Sequence, residues 1–348
     1  MPFVRFVTRH FILGAVGGLA ALATPHVAAA QSVEQFYKGS QIKLTVGFGP
    51  GGGYTVWAQT IARHIGRHIP GNPGVIVQNM PGAGSLKAAN YMYSIAAKDG
   101  REIGAFARDN ISASFMKAPG VSFDAAKFNW LGTPATETNL CAAMDSSGIA
   151  SFKDIQAKEV PTGSDGLGTG SYIYPTVVNA MLGSKFKVVT GYHDTGEIFL
   201  AMERGEMAAT CQSAETFKRA MPEAWASGRL KLLFQGALKA NPEFAHVPFV
   251  LDLATTKEQR QALEFVYSGQ TFGRPYAAPP GVPDDRLAAL RKAFASVMDD
   301  EQFKADAAKQ KLTIDPVLAD EMTGMVQALA ATPQEVIAKV TAAIGKTE

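Results

Sequence analysis

Ile42-Lys43-Leu44-Thr45-Val46, then Gly47-Phe48-Gly49-Pro50-Gly51-Gly52-Gly53-Tyr54, then Thr55 to His68: a β-rich run, a glycine loop and a helix-spaced segment follow in direct succession. The run ends at Gly47, and Val56, Ile61 and Ile65 recur at the spacing of one helix face. The same order then repeats. Val75-Ile76-Val77 leads into Pro81-Gly82-Ala83-Gly84, where Ser85 is placed to cap a helix reaching Ala97, and Ile103 to Phe106 forms a third strand. Strand–loop–helix units with short glycine-rich joints predict α/β layering with largely parallel strands.

Outward from this core the pattern changes near Phe128-Asn129-Trp130-Leu131-Gly132. Thr133 to Met144 is extended and reads as a crossover into a second domain. There Val160 leads to Gly163-Ser164-Asp165-Gly166-Leu167-Gly168-Thr169-Gly170-Ser171 and a helix to Leu182. Lys187–Thr190 is a strand, Gly191–Gly196 a loop and Ile198–Arg204 a helix, followed by strands at Met207–Cys211 and Leu230–Gln235. Thr271 to Ala278 is the return crossover; Pro279–Pro283 stops it and Asp284 caps a helix to about Met298. Helical patterns at 320–330 and Pro333–Ile344 end the chain, with Pro333 suited to a first turn. Two similar α/β lobes are predicted, 31–133 with 272–348, and 134–271.

Composition agrees with a folded, exported chain. Of 348 residues, 47% are hydrophobic and 18% charged, enough apolar material for a core and too much for a disordered chain. Residues 1–30 read as a secretory signal: Arg5 and Arg9, an apolar Phe11–Ala23 too short to span a bilayer, and Ala28-Ala29-Ala30 before a cut at Gln31. No Cys adjoins the cut to carry lipid, and the second Arg of a twin-arginine signal is missing. Without Arg5 and Arg9 the mature chain has 31 basic and 31 acidic residues, which removes the electrostatic basis for nucleic-acid binding. Two cysteines exclude a small disulfide scaffold. In an exported chain Cys141 and Cys211 can pair, closing a loop of about 70 residues at roughly 4 kcal/mol at most; the alternative is two buried thiols.

Most enzyme signatures fail. Gly84-Ser85 and Gly170-Ser171 have the wrong order for a nucleophile elbow. His64 and His68, four apart on a helix, could chelate a metal but have no third ligand nearby in sequence, and a solvated basic face is expected. Gly345-Lys346-Thr347 resembles the end of a P-loop, with Val340 where the first Gly is needed. The loop Gly49–Tyr54 fails the dinucleotide fingerprint because Tyr54 replaces its last Gly. A glycine loop opening a helix still offers free N–H groups to an anion, and Gly166–Ser171 repeats that arrangement in the second lobe. Two such loops across a cleft, neither carrying a general acid or base, point to gripping a carboxylate without chemistry on it. Arg108 either pairs a ligand carboxylate or makes a surface pair with Asp109. Asp194 or Thr195 caps the helix that follows, and Tyr192 lines the cleft. Trp57, Trp130 and Trp225 are expected in the core.

Pro50-Gly51-Gly52-Gly53, Gln78-Asn79-Met80-Pro81-Gly82-Ala83-Gly84, Lys98-Asp99-Gly100, Gly168-Thr169-Gly170-Ser171, Gly191-Tyr192, Gly205-Glu206-Met207 and Ala278-Pro279-Pro280-Gly281-Val282-Pro283, in this order, span the mature chain. Together they resemble the TctC or Bug family, the extracytoplasmic solute receptors of tripartite tricarboxylate transporters. The resemblance implies a type II periplasmic binding-protein fold, two α/β lobes with a ligand cleft between them, in a periplasmic, monomeric protein. It implies a small carboxylate as ligand, membrane permease subunits as partners, and no catalysis, cofactor or metal. Gly51, Gly52, Gly53 and Tyr54 would face Gly168, Thr169, Gly170 and Ser171, with Phe48, Thr55, Arg108, Tyr192 and Asp194 completing the candidate set. The chain departs from the family at Thr55 and Gln59, where Asp and Arg are usual, and at Tyr192-His193-Asp194, where Tyr-x-Gly is usual. A sensory receptor with the same cleft is the second reading. An exported hydrolase, which would need a nucleophile and a base in the cleft, is the third. A bulky residue at Gly52 or Gly170 is expected to abolish binding with the fold's stability kept.

Overall fold

The computed structural model describes residues 1–4, 6 and 31–345; the apolar stretch and cleavage motif of the expected signal lie outside them. Strands β1 (Gln41–Val46), β2 (Gly74–Asn79), β3 (Glu102–Ala105), β4 (Asn129–Thr133), β10 (Tyr276–Ala278) and β11 (Val317–Leu318) form one sheet, in the order β11-β4-β10-β3-β1-β2. Strands β5 (Asn139–Met144), β6 (Val160–Gly163), β7 (Phe186–Val189), β8 (Ala209–Ser213) and β9 (Leu230–Gly236) form the other, in the order β7-β6-β8-β5-β9. Each sheet with its helices is one lobe of a type II periplasmic binding-protein fold.

β1 runs parallel to β2 and β3, and β6 parallel to β7 and β8, as strand–loop–helix units require. The sheets are nonetheless mixed. β5 and β10 are the first strands after the two crossovers, and each runs antiparallel to both its neighbours. Asn139, the first residue of β5, pairs with Ser213, the last of β8, and Tyr276 at the start of β10 pairs with Ala105 at the end of β3. A chain arriving from the other lobe thus enters each sheet at the carboxyl ends of the parallel strands and must run back against them. The residues just before β5 and β10 are thereby delivered to the cleft.

Burial explains the elements. The helix Gly53–Ile65 lays Trp57, Ile61 and Ile65 on Ile42, Leu44 and Val46 of β1, and the helix Asp284–Asp299 adds Leu290, Phe294 and Val297 to the same cluster. β2, at the sheet edge, alternates exposed and half-buried residues, whereas central β5 is buried along its whole length. A further cluster runs from Phe106 and Trp130 through Tyr174 and Tyr267 to Phe234, so apolar packing is continuous between the lobes. The helix Gln334–Ile344, expected with the first lobe, packs against the second-lobe helices Gly170–Leu182 and Lys257–Tyr267.

Several local expectations change. Ser85 has φ 72 and makes no cap; its hydroxyl instead accepts the Ala107 N–H at 3.1 Å. Asp284 is the first residue of its helix, with Pro283 in the cap position. His64 and His68 are not simply solvated. They lie 2.9 Å from Asp306 and 2.7 Å from Asp300, beside Arg63 and Arg67 on the same carboxylates. Cys141 and Cys211, directly paired residues of β5 and β8, are joined by a disulfide.

Candidate functional site

Loops leave the carboxyl ends of the parallel strands of both sheets and converge, as ligand-binding α/β folds require. They enclose a cavity with about 40 Å³ of solvent space, room for about three waters.

The first-lobe wall holds Phe48, Gly52, Gly53, Tyr54 and Arg108. Thr55 lies behind it, fully buried, donating to the Gly49 carbonyl at 2.7 Å and accepting from Asn79 Nδ2 at 2.8 Å. Asn79 also donates to the Phe48 carbonyl at 2.7 Å, so the glycine loop is tied to the end of β2. Gln59 is exposed. Neither Thr55 nor Gln59 carries a charge, so this turn of the helix buries none. The helix starts at Gly53 with no side-chain cap, so the amides of Gly53 and Tyr54 have no carbonyl within the helix to serve. The Tyr54 ring stacks on Phe48 with centroids 4.4 Å apart, its hydroxyl accepts the Arg108 N–H at 3.0 Å, and burial pushes its pKa up to about 12.

Behind this wall is a buried charge network. Arg108 Nη1 lies 2.5 Å from one Glu137 oxygen and donates to the Gly273 carbonyl at 3.1 Å. Arg274 Nη2 lies 2.8 Å from the other Glu137 oxygen and reaches Ser213 at 3.2 Å and Thr216 at 3.3 Å; its guanidinium sits 4.8 Å from the Tyr54 ring centroid. Burial alone would raise the Glu137 pKa, but Arg274 and Arg108 hold it below the usual carboxylate value. Arg108 therefore makes no surface pair with Asp109, since both residues are buried.

Side-chain donors of the second-lobe wall are used on the protein's own acids. The helix Gly170–Leu182 starts without a side-chain cap, and its Tyr174 hydroxyl donates to Asp109 at 2.5 Å. Burial raises the Asp109 pKa against this contact and Arg108. The Ser171 hydroxyl bonds Asp165 and lies 2.8 Å from that of Thr169. Asp194 caps the helix Thr195–Glu203 through Oδ1, which accepts the Glu197 N–H at 3.1 Å. Its other oxygen faces the first-lobe loop: a Cβ on Gly51 would lie 3.2 Å from Oδ2.

Of the candidate residues, Phe48, Gly52, Gly53, Tyr54, Arg108, Thr169, Gly170, Ser171 and Asp194 line this cavity; Gly51, Thr55, Gly168 and Tyr192 do not. Tyr192 lines an adjoining recess with Pro81–Ser85. The expected apposition of the two glycine loops is also altered. Gly168 meets the loop after β2, where a Cβ on Gly84 would fall 2.7 Å from the Gly168 nitrogen, and Gly51 is opposed by Asp194. Gly170 cannot take a side chain with the fold unchanged, because its Cβ would lie 2.3 Å from the Tyr174 ring; Gly52 has no such neighbour. Sequence reading missed Glu137 and Arg274. A signal was there: each is the sole charged residue of its crossover, Thr133–Met144 and Thr271–Ala278.

No protein-family model matches the sequence, and no curated protein matches it. Solved structures do match the fold. A periplasmic binding protein, BugD, superposes with a TM-score of 0.67 at 17% identity, over 89% of this chain and 98% of that one. MatC from Rhodopseudomonas palustris with bound malate gives 0.66 at 18% identity, over 88% and 99%. An R. palustris protein with adipate gives 0.66 at 18% identity, over 86% and 97%.

Proposed function

We propose that this chain is a periplasmic solute-binding protein that captures a small organic carboxylate between its lobes and delivers it to a membrane permease of the tripartite tricarboxylate type. The observation that carries the reading is the first-lobe wall, where Gly53 and Tyr54, at an uncapped helix start, and the buried Arg108 and Arg274 border one cavity. An uncapped helix start and two arginines are the donor set a carboxylate needs. Support also comes from a fold shared with proteins whose structures hold malate and adipate.

Phe48, Gly52, Gly53, Tyr54, Arg108, Thr169, Gly170, Ser171 and Asp194 form the binding surface, joined by Arg274. Thr55 holds the first loop in shape, and Gly51, Gly168 and Tyr192 shape the contact between lobes. Binding works by differential affinity: a ligand that touches both walls only when the lobes are together shifts the open–closed equilibrium by that difference. The permease then reads the closed surface.

A thermal-shift screen of the mature chain tests this. The panel covers C4–C8 dicarboxylates, tricarboxylates, aromatic acids and amino acids, each with a neutral analogue. A carboxylate at 100 times its Kd adds about 2.7 kcal/mol of stability, and its neutral analogue adds none. Stabilisation by neutral solutes alone, after refolding to strip bound ligand, would refute the reading.

A further inference from the structure

Resting on the carboxylate reading above, we propose that the Cys141–Cys211 disulfide is a redox-sensitive positioning element of the cleft, which holds Arg274 aligned for the ligand when oxidised and relaxes that hold when reduced.

The bond ties two strand ends that little else secures. Cys141 of β5 pairs directly with Cys211 of β8, and two positions outward the pair Asn139 and Ser213 ends the ladder at the cleft. β8 pairs with β6 at Ala209, so among the described strands Thr210–Ser213 are laddered only to β5. β5 is irregular on its other side, where its register with β9 shifts between Cys141 and Ala142. The disulfide therefore lies where both neighbouring ladders are weak.

What it holds is part of the site. Residues two apart on a strand share a face, so Ser213 stands on the same face as Cys211. Ser213 and Thr216 lie 3.2 and 3.3 Å from Arg274 Nη2 and 2.7 Å from each other. Arg274, Ser213, Thr216 and Cys211 all line the cleft cavity. Breaking the bond frees the end of β8 to move from β5, taking two of the groups that orient the Arg274 guanidinium. Glu137 still pairs with Arg274, so alignment changes while charge balance is kept.

The same geometry sets the route of reduction. Both cysteines are buried, and of the two only Cys211 lines the cavity, which is too small for a dithiol until the lobes part. A thiolate of the dithiol then attacks Cys211 Sγ, forming a mixed disulfide and expelling the Cys141 thiolate, which takes up a proton. The reductant's second thiol loses its proton, attacks the mixed bond and releases Cys211, which is protonated in turn. Two electrons and two protons have passed to the protein, and the reductant leaves as its own disulfide. A ligand that keeps the lobes together opposes this step. Linkage makes the effect reciprocal: if oxidation tightens binding tenfold, saturating ligand lowers the reduction potential by about 30 mV.

Calorimetric titration of the mature chain, oxidised and after reduction by dithiothreitol, tests this with malate, adipate, citrate, benzoate and any further acid that the thermal-shift screen identifies. Circular dichroism checks the fold of the reduced chain. At least one acid should bind the oxidised chain about tenfold or more tightly. The same acid at saturation should lower the midpoint of the disulfide against dithiothreitol by about 30 mV. In Ser213→Ala, which cuts the path from the disulfide to Arg274, the two forms should bind within about threefold of each other. Equal binding by both forms, a midpoint that the acid leaves unmoved, an undiminished difference in Ser213→Ala, or a reduced chain that unfolds outright would overturn the inference and leave the carboxylate reading standing. No binding of any acid by either form would overturn both.

Discussion

Glu137→Gln is the most informative single substitution, because Glu137 is the counter-ion of two buried arginines. It is 2.5 Å from Arg108 and 2.8 Å from Arg274, with its side chain 3% exposed. The amide keeps the shape and one acceptor oxygen but removes the charge. Two guanidiniums then remain buried with no carboxylate between them. Removing one partner of a buried ion pair costs about 3–5 kcal/mol. For a chain of this length 1 kcal/mol corresponds to roughly 1.5 °C, so Tm should fall by about 5–8 °C. The same change should strengthen carboxylate binding. With Glu137 neutral, Arg274 keeps only Glu215 at 3.7 Å and Arg108 only the buried Asp109 as nearby anions, and affinity for a ligand carboxylate should rise about tenfold or more, a gain of about 1.4 kcal/mol. Differential scanning calorimetry with and without a carboxylate identified by the screen reads both effects. A variant that melts within about 1 °C of wild type, or that the carboxylate stabilises no more than wild type, would refute the reasoning.

Gly84→Ala should hinder the approach of the lobes, since the new methyl would lie 2.7 Å from the Gly168 nitrogen at a residue with φ +59; affinity should drop about tenfold, and small-angle scattering should show a larger radius of gyration. Replacing Cys141 and Cys211 by Ala opens a loop with a sequence separation of 70 and should cost about 2–4 kcal/mol, read by denaturant titration under non-reducing conditions. Asp300 both caps the helix Glu301–Lys309 and accepts from Arg67 and His68, which against the effect of burial hold its pKa well below the usual value. Because its folded pKa is depressed, its stabilisation is complete above the unfolded carboxylate value near 3.9 and is lost as pH falls through the folded one. Asp300→Ala should therefore cost about 2 kcal/mol at pH 7, with the gap from wild type narrowing steadily below about pH 4 in pH-resolved melts.

The sequence by itself determined the strand–loop–helix units and the two-lobe layout. Those signals are local: apolar periodicity of two or 3.6 residues and glycine where the backbone must turn. The glycine loops after β1 and β6 were legible for the same reason, and so were Arg108 and Asp194, each placed just beyond a strand. Tertiary structure alone decided what those loops meet. Entry of β5 and β10 at the carboxyl ends of their neighbours brings Glu137 and Arg274 into the cleft, although they are far apart in the chain. Asp109, which opens the short helix Asp109–Phe115, reaches across to the helix Gly170–Leu182 and accepts from its Tyr174 hydroxyl. Whether an N–H or a guanidinium is free for a ligand depends on which distant side chain reaches it first. That pairing is settled by how the two crossovers enter their sheets and by the packing that joins the lobes, and no local pattern encodes it.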